Sequence, residues 1–357
     1  MRVLVTGATG FVGAHVVQLL GESGHEVIGL DTPDTIDSLG ASLGVNVERL
    51  WADVDDVDKV RRAVGRVDAI SHQAFRTGRG DGFADLLSYV RQNDLGTATL
   101  LTALHDVTFA GRIVAGSSTS VYGDGVYDCA DHGRVIPEPR RAEDLDAGRF
   151  EPRCSICGAE LVAGLLTEDA PVRPRGLAGV TRVHQEMLFE AYAIEHPGTT
   201  VTTLRYHNLY GPLMPRNSPL VGVAGQFRSQ IEDGVRPEVF EDGGQRRDFV
   251  HVSDAARANV LAFETEVPHH VVLNIGTGRS ATLLEAATTL CVARDSRLWP
   301  AVVGRYRPGA SRHLLASSTR AHDLLGFRAR IGLHEGMSGF ATAPMSEPEA
   351  HRRLIAR

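Results

Sequence analysis

An α/β fold built on a doubly wound parallel sheet is predicted by three observations. The chain opens on an apolar run, Val3-Leu4-Val5-Thr6, that passes through Gly7, Gly10 and Gly13 into an amphipathic segment. Runs of strand length then alternate with helix-period segments as far as Gly123. An acidic residue, Asp31, closes the second apolar run about 20 positions beyond the first turn.

The elements follow in order. Val12, Val16, Leu19 and Leu20 recur on one side of a helix, so Arg2 to Leu20 reads as strand, turn and helix. Glycine at such a turn permits positive φ and lets a phosphate approach without a Cβ in the way, while free amides at the helix start attract the anion. Glycine also closes ordinary βα turns, and Asp31 is what adds weight, because a carboxylate there holds a ribose 2′-hydroxyl and favours NAD over NADP. Thr32 to Gly44 is polar and suits a loop over a cofactor edge, Val45 to Trp51 reads as a strand and Asp55 to Val64 as a helix. In this architecture Asp53 and Val54 border the adenine; Asp53 as the N-cap of the next helix is the alternative. Val67 to Ser71 is a strand into His72-Gln73-Ala74, Phe83 to His105 is helical, and Arg112 to Gly116 is a fifth strand entering Ser117 to Gly123. Ligands of such sheets sit at the strand C-termini.

The alternation then breaks. From Gly123 to about Gly176 there is no strand or helix period, and an irregular segment this long inside a compact domain is functional or disordered. It carries Cys129-Ala130-Asp131-His132 and Cys154-Ser155-Ile156-Cys157-Gly158. Two ligand pairs, each with two intervening residues, match a tetrahedral zinc site of three thiolates and one imidazole. Four protein ligands leave no open position, so the expected zinc is structural and orders a segment too polar to form its own core. A redox dithiol and chance clustering are the rivals, the first disfavoured because Cys154 does not follow a strand and open a helix. With Cys291, expected in a buried helix position, the chain has four cysteines, too few for a disulfide framework.

Helical spacing resumes over Val180 to Glu195, followed by a strand over Thr200 to Tyr206, a Gly/Pro loop over His207 to Pro219 and a helix over Val221 to Glu232. Phe249 to Val252 reads as extended, Ser253 to Glu264 as a helix capped by Ser253, and Val271 to Ile275 as a strand. Leu283 to Val292 is helical, Tyr306 to Ser317 mostly irregular, and Thr319 to Leu325 a last short helix. These readings assign residues 1–125, 177–206 and 247–275 to a dinucleotide-binding (Rossmann) domain and 126–176 to a zinc-binding insertion. Residues 207–246 with 276–340 form a smaller C-terminal substrate lobe, and 344–357 a polar tail.

The 357 residues suffice for one two-lobed domain or two domains, and 43% hydrophobic with 23% charged residues is ordinary for a globular protein. A net charge of −7 argues against nucleic acid or an anionic membrane as the main partner, while local arginines still allow a small anionic ligand. No apolar run approaches the roughly 18 to 20 residues of a membrane span, and no signal peptide precedes the first strand, so a cytoplasmic location is expected.

Several motifs agree. Gly7-Ala8-Thr9-Gly10-Phe11-Val12-Gly13, Asp31, Asp53, His72-Gln73-Ala74, Asn93 with Gly96-Thr97, Ser117-Ser118 with Val121-Tyr122-Gly123, Leu204 to Pro212, and Arg247-Asp248-Phe249-Val250-His251-Val252 are together similar to the extended short-chain dehydrogenase/reductase family. Within it the chain most resembles nucleotide-sugar epimerases and dehydratases, particularly dTDP-L-rhamnose 4-epimerase-like proteins, from Arg2 to about Phe340. The resemblance implies an NAD site that includes Gly7, Gly10, Phe11, Val12, Gly13, Asp31, Asp53, Val54, Gln73, Ala74, Asn93, Arg182 and His207. It implies substrate contacts from Ser118, Asn208, Arg216, Arg247 and Arg307, with Arg312 a further candidate for a phosphate, and a dTDP-deoxyhexose as the ligand class. It also implies a homodimer through the helices at Phe83 to His105 and Val180 to Glu195.

In that family a Tyr, tuned by a Lys four residues later, takes the proton of the sugar 4-hydroxyl as C4 gives hydride to NAD, and a 4-keto sugar turns over before hydride returns. Ser118 matches the hydroxyl residue that binds the reacting oxygen. With Pro174 and Glu186 fixing the register, however, Ala178 stands at the Tyr position and Arg182 at the Lys position. Arg182 retains positive charge and can hold a ribose hydroxyl; Ala178 can do nothing with a proton. Tyr122, Tyr206, His207, His184 and a water on Ser118 are the candidate replacements, although Tyr122 and Tyr206 are expected structural members of their motifs and His184 a helix-surface residue. An epimerase with an altered proton-transfer group, a catalytically silent homologue and a 4-keto-sugar reductase are the resulting alternatives.

Overall fold

The computed structural model describes residues 1–32, 47–77, 82–217, 222–294 and 297–346. Strands are numbered along the chain. β1 (Arg2–Thr6), β2 (Glu26–Asp31), β3 (Val47–Trp51), β4 (Ala69–His72), β5 (Arg112–Ser118), β10 (Thr200–Tyr206) and β14 (His270–Ile275) form one parallel sheet in the order β14-β10-β5-β4-β1-β2-β3. The continuous apolar run of β1 resolves into two faces with period two. Val3 and Val5 pack with Val16, Leu20 and Phe263 beneath the Phe11–Glu22 and Val252–Glu264 helices. Leu4 packs with Ile70, Leu100, Leu104 and Phe189 beneath the Gly96–Asp106 and Leu177–Glu195 helices. A sheet buried on both faces thus presents its strand ends as the exposed place for chemistry.

A second sheet carries the smaller lobe. β11 (Asn208–Tyr210), β13 (Arg246–His251), β17 (His313–Ala316) and β9 (Leu165–Leu166) lie side by side, with β15 (Ser280–Thr282) antiparallel to β13. β12 (Glu238–Val239) pairs with β16 (Ala301–Val302), and Tyr210, Phe227, Leu290 and Phe340 fill the lobe's core. The insertion forms a small antiparallel sheet, β7 (Gly133–Val135), β6 (Tyr127–Cys129) and β8 (Val162–Ala163), around Tyr127, Cys129, Cys154 and Leu161.

Several expectations change. The irregular segment 123–176 contains four short strands, three in its own sheet and one in the second, and a helix at Ala142–Asp146, each too short to show a period in sequence. Asp56, not Asp53, caps the Val57–Val64 helix, accepting from the Lys59 amide at 3.1 Å. His251 rather than Ser253 is the N-cap of the Val252–Glu264 helix, its Nδ1 accepting from the Ser253 amide at 3.3 Å. The expected helix from Phe83 to His105 is a 3₁₀ turn, an α turn and a π segment at Val90–Leu95 before Gly96–Asp106. Arg246–His251 belongs to the second sheet, not to the dinucleotide-binding one, and Tyr306 to Ser317 contains β17. A further helix, Leu333–Phe340, follows the one at Thr319–Leu325. Most of the Thr32 to Gly44 loop, the start of the Val45 strand and the tail beyond Ser346 lie outside the described residues. Among those described, no helix is long and apolar enough to cross a membrane.

The first turn is set by backbone against backbone. Gly7 has φ +64°, and a Cβ there would lie 2.7 Å from the Ala74 amide; a Cβ on Gly13 would collide with the Gly7 carbonyl. Neither neighbour is a side chain that can swing away. Gly13→Ala should therefore cost about 1–3 kcal/mol, seen as a lower urea midpoint at unchanged slope. A variant as stable as the parent would remove the argument for close approach.

Candidate functional site

A cavity of about 1090 Å³ runs along the C-terminal ends of the main sheet and into the smaller lobe. At one end Gly7, Gly10, Phe11, Val12 and Gly13 line it. Gly10 is the N-cap of the first helix and offers no side chain to its amides, which leaves the first turn as an anion cradle. Asp31 reaches the same wall from the end of β2. Its Oδ2 accepts from the Thr9 amide at 2.9 Å and the Thr9 hydroxyl at 2.7 Å, and its Oδ1 from the Thr32 amide at 2.8 Å. Asp53, Val54, Gln73 and Ala74 complete this end, and burial pushes the Asp53 carboxyl up. A glycine cradle followed by a ribose-height carboxylate fits a dinucleotide.

The middle of the cavity is where the chain departs from its resemblance. Ser118 ends β5, and its Oγ accepts from the Ser120 amide at 3.1 Å. Ala178 lines the cavity from the first turn of the Leu177–Glu195 helix, and Arg182 lies one turn on, buried. The Arg182 guanidinium bonds the Gly116 carbonyl and, at 2.7 Å, Gln185 Oε1, and it stacks on Phe75 with 3.2 Å between its carbon and the ring centroid. Its Nε has no partner among the described residues, and burial pulls its pKa down to about 9, so it remains a cation at neutral pH. The helix is fixed by a buried ion pair, Arg205 to Glu186 at 2.7 Å.

Burial favours the neutral forms of Tyr122, Tyr206 and His207. Tyr122 donates to Asn274 at 2.7 Å and Tyr206 donates to Gln73 at 3.2 Å; burial pushes both phenols up to about 12. His207 lines the cavity at 3% exposure with neither ring nitrogen partnered, and burial pulls it down to about 3. His184 stands on the helix surface, 3.1 Å from Asp94.

At the far end Asn208, Arg247 and Arg307 line the cavity. Arg247 donates to the Ser311 carbonyl at 2.7 Å and the Arg312 carbonyl at 2.8 Å, and Arg307 lies over the Phe240 ring at 4.5 Å. Three expected site residues are elsewhere. Asn93 is fully buried in the π segment, accepting from the Arg76 amide at 2.7 Å and donating to Thr181 at 2.9 Å. Arg216 pairs with Asp233 at 2.5 Å and Glu232 at 3.6 Å outside the lining. Arg312 is enclosed by Glu151, Glu241 and Asp242 at 2.6 to 2.8 Å and cannot reach a phosphate. Phe75, which the sequence argument missed, adjoins His72-Gln73-Ala74, and its place over Arg182 has no local pattern to announce it.

The donor atoms of Cys129, His132, Cys154 and Cys157 all lie within 4.8 Å of one another. Cys129 Sγ is 3.6 Å from Cys157 Sγ and 3.5 Å from His132 Nδ1, and Cys154 Sγ is 3.7 Å from that same nitrogen. A sulfur pair at this spacing is not a disulfide, whose bond is about 2.05 Å. It matches the edge of a tetrahedron with zinc–sulfur bonds of about 2.3 Å, close to 3.8 Å. The His132 ring lowers the Cys129 thiol to about 6, toward the thiolate a metal needs.

The fold and the cavity define a dinucleotide-dependent enzyme scaffold. The chain belongs to the NAD dependent epimerase/dehydratase family, whose model matches residues 3–159 and 154–276. It is 26% identical to a dTDP-L-rhamnose 4-epimerase of Burkholderia thailandensis over 96% of this chain and 94% of that one. Among solved structures it is similar to a UDP-glucose 4-epimerase of Thermotoga maritima with UDP-glucose, at TM-score 0.77 and 26% identity over 99% of this chain and 100% of that one. It is likewise similar to a UDP-glucuronic acid 4-epimerase of Bacillus cereus in complex with UDP-glucuronic acid and NAD, at TM-score 0.75 and 25% identity over 96% and 98% of the two chains.

Two buried imidazoles give the protein an acid response. His72 and His207 both have folded pKa values near 3, below the ordinary value of 6.5, because burial disfavours their charged forms. The unfolded chain therefore binds more protons between those values, and stability is lost as pH falls from about 6.5 toward 3, by up to about 1.4 kcal/mol per pH unit for each ring. Since neither nitrogen of His207 has a partner among the described residues, His207→Phe should remove up to about half of this two-ring slope in urea titrations across that range. An unchanged slope would mean that His207 is not buried neutral.

Proposed function

We infer that this protein is an NAD-dependent nucleotide-sugar enzyme of the 4-epimerase type, acting on a dTDP- or UDP-hexose, a dTDP-deoxyhexose being our first choice, with an altered proton-transfer group. The observation that carries this reading is the continuity of one cavity from the glycine turn, past Ser118 and Ala178, to Arg247 and Arg307. Bound NAD would supply hydride acceptance and return at the sugar C4. The chain's own residues divide the remaining work. Gly7, Gly10 and Gly13 hold a pyrophosphate, Asp31 a ribose, and Arg182 keeps a fixed positive charge beside the reacting end. Arg247 and Arg307 grip the substrate diphosphate, Asn208 contacts the sugar nucleotide, and Ser118 donates to the reacting oxygen.

A tetrahedral zinc on Cys129, His132, Cys154 and Cys157 is part of the same reading and has a structural role. A homodimer is supported by exposed apolar side chains on the two helical segments named above, Phe83 and Leu87 on one and Val180 and Met187 on the other. Such side chains mark an interaction face when contiguous.

A second reading, a silent homologue that binds both ligands without turnover, is favoured by the absence of a tuned phenol or imidazole around Ala178 among the described residues. Purified protein with NAD and dTDP- or UDP-hexoses separates the two. C4 inversion followed by NMR, with transient absorbance of reduced cofactor, is expected for the enzyme; tight sugar-nucleotide binding without inversion would sink the epimerase and leave the silent homologue. The double change Ala178→Tyr with Arg182→Lys should raise turnover by about 10²- to 10⁴-fold, the usual worth of general acid–base help.

A further inference from the structure

Between the four metal-ligating residues and the cavity lies a buried network of charges that no local motif announces. Glu151 precedes Cys154 by three positions. Its Oε1 accepts from Arg312 Nη2 at 2.6 Å and Nε at 2.8 Å, and its Oε2 lies 2.8 Å from His313 Nε2. The same Arg312 donates to Glu241 and Asp242 at 2.8 Å. Arg140, also from the insertion, donates to Glu241 at 2.8 Å and to the Ala310 carbonyl at 2.7 Å. Tyr127, two residues before Cys129, accepts from the His313 amide at 3.1 Å. Arg312, Glu241 and Tyr127 are at most 2% exposed, so the Arg312–Glu241 pair is desolvated on both sides, and loss of the partly exposed Glu151 carboxylate would leave part of the buried Arg312 charge uncompensated.

All of these bonds but the one from Arg140 to Glu241 end on residues 306–313. That segment carries Arg307 and the Ser311 and Arg312 carbonyls that aim Arg247, both arginines lining the cavity. Glu151 itself lies in irregular backbone between the Ala142–Asp146 helix and Cys154, with Cys154 and Cys157 closing a tight turn through Gly158 N to Cys154 O at 2.9 Å. On either side of Glu151, the Phe150 carbonyl accepts from Arg140 at 3.0 Å and the Pro152 carbonyl from the Leu161 amide at 2.9 Å, so its backbone is held from the insertion itself.

We propose that the metal on Cys129, His132, Cys154 and Cys157 sets the cavity's affinity for a nucleoside diphosphate, acting through Glu151 and Arg140 on residues 306–313. The proposal rests on the zinc and nucleotide readings above and adds a coupling between them. Metal binding orders the Cys154 turn that follows Glu151; Glu151 fixes Arg312; Arg312 and Arg140 fix the segment that presents Arg307 and orients Arg247. Glu151 and Arg140 are positioning residues, remote from the dinucleotide end of the cavity, so metal loss should leave NAD binding intact.

The test uses the full chain, zinc-loaded, stripped with a chelator and reloaded, beside Glu151→Gln with its zinc retained. Metal content is measured first, then hydrogen exchange of residues 305–316, then calorimetric affinity for UDP, dTDP and NAD separately. Stripping and Glu151→Gln should each speed exchange in 305–316 and weaken UDP or dTDP binding by at least about tenfold, as expected for a broken buried charge contact, while NAD affinity stays within about twofold and zinc reloading restores the stripped protein. Unchanged exchange in 305–316 after stripping overturns the coupling even if zinc is present. Protein that neither carries nor takes up zinc overturns the metal reading beneath it, and segment loosening without UDP or dTDP binding in any form overturns the nucleotide part alone.

Discussion

The desolvated guanidinium of Arg205 holds the two halves of the candidate site in register. It sits on β10 at 5% exposure, where an unneutralised charge would be intolerable, and it is met by Glu186 at 2.7 Å, the Tyr122 hydroxyl at 2.8 Å and the Glu168 carbonyl at 3.1 Å. Those partners come from the Leu177–Glu195 helix, from the turn after β5 and from the end of the insertion. One buried charge thereby fixes where Ala178 and Arg182 stand relative to Ser118. Glu186 also accepts from Ser117, so helix and strand end are tied twice. Removing either member of such a pair strands the other, typically at about 3–5 kcal/mol.

The alternation of β1 to β5 with helices was legible because each element is long enough to show its period, and the glycine turn because backbone contact leaves glycine as the sole residue that fits. The Cys/His cluster was legible as two spaced pairs. The caps at Asp56 and His251 were missed by a few residues, since several polar side chains precede each helix and only geometry decides which one reaches the free amides. Arg312 illustrates what local sequence cannot hold. Its partners Glu151 and Asp242 lie 161 and 70 positions away, and no spacing rule distinguishes a phosphate-gripping arginine from one already neutralised by carboxylates. Asn93 and Arg216 are outside the cavity lining, each with partners elsewhere in the chain that residue type alone does not announce.

What the cavity lacks is as specific as what it contains. Burial raises Tyr122 and Tyr206 and lowers His207, each shift favouring the neutral form. A low-dielectric pocket of this kind strengthens hydrogen bonds from Ser118 and the charge of Arg182, yet it penalises any group that must alternate between charged and neutral states. A tyrosine at position 178 would escape that penalty only with a neighbouring cation to stabilise its phenolate, and Arg182 supplies one, at about 9 still charged at neutral pH. On the proposed reading, the electrostatic half of a proton-transfer pair is present at Arg182 while position 178 offers no titrating half. Under the proposed reading a proton leaving the sugar hydroxyl passes to a water or through Ser118, so the acid–base step, and not the glycine turn with Asp31, is where that reading parts from the chemistry its motifs imply.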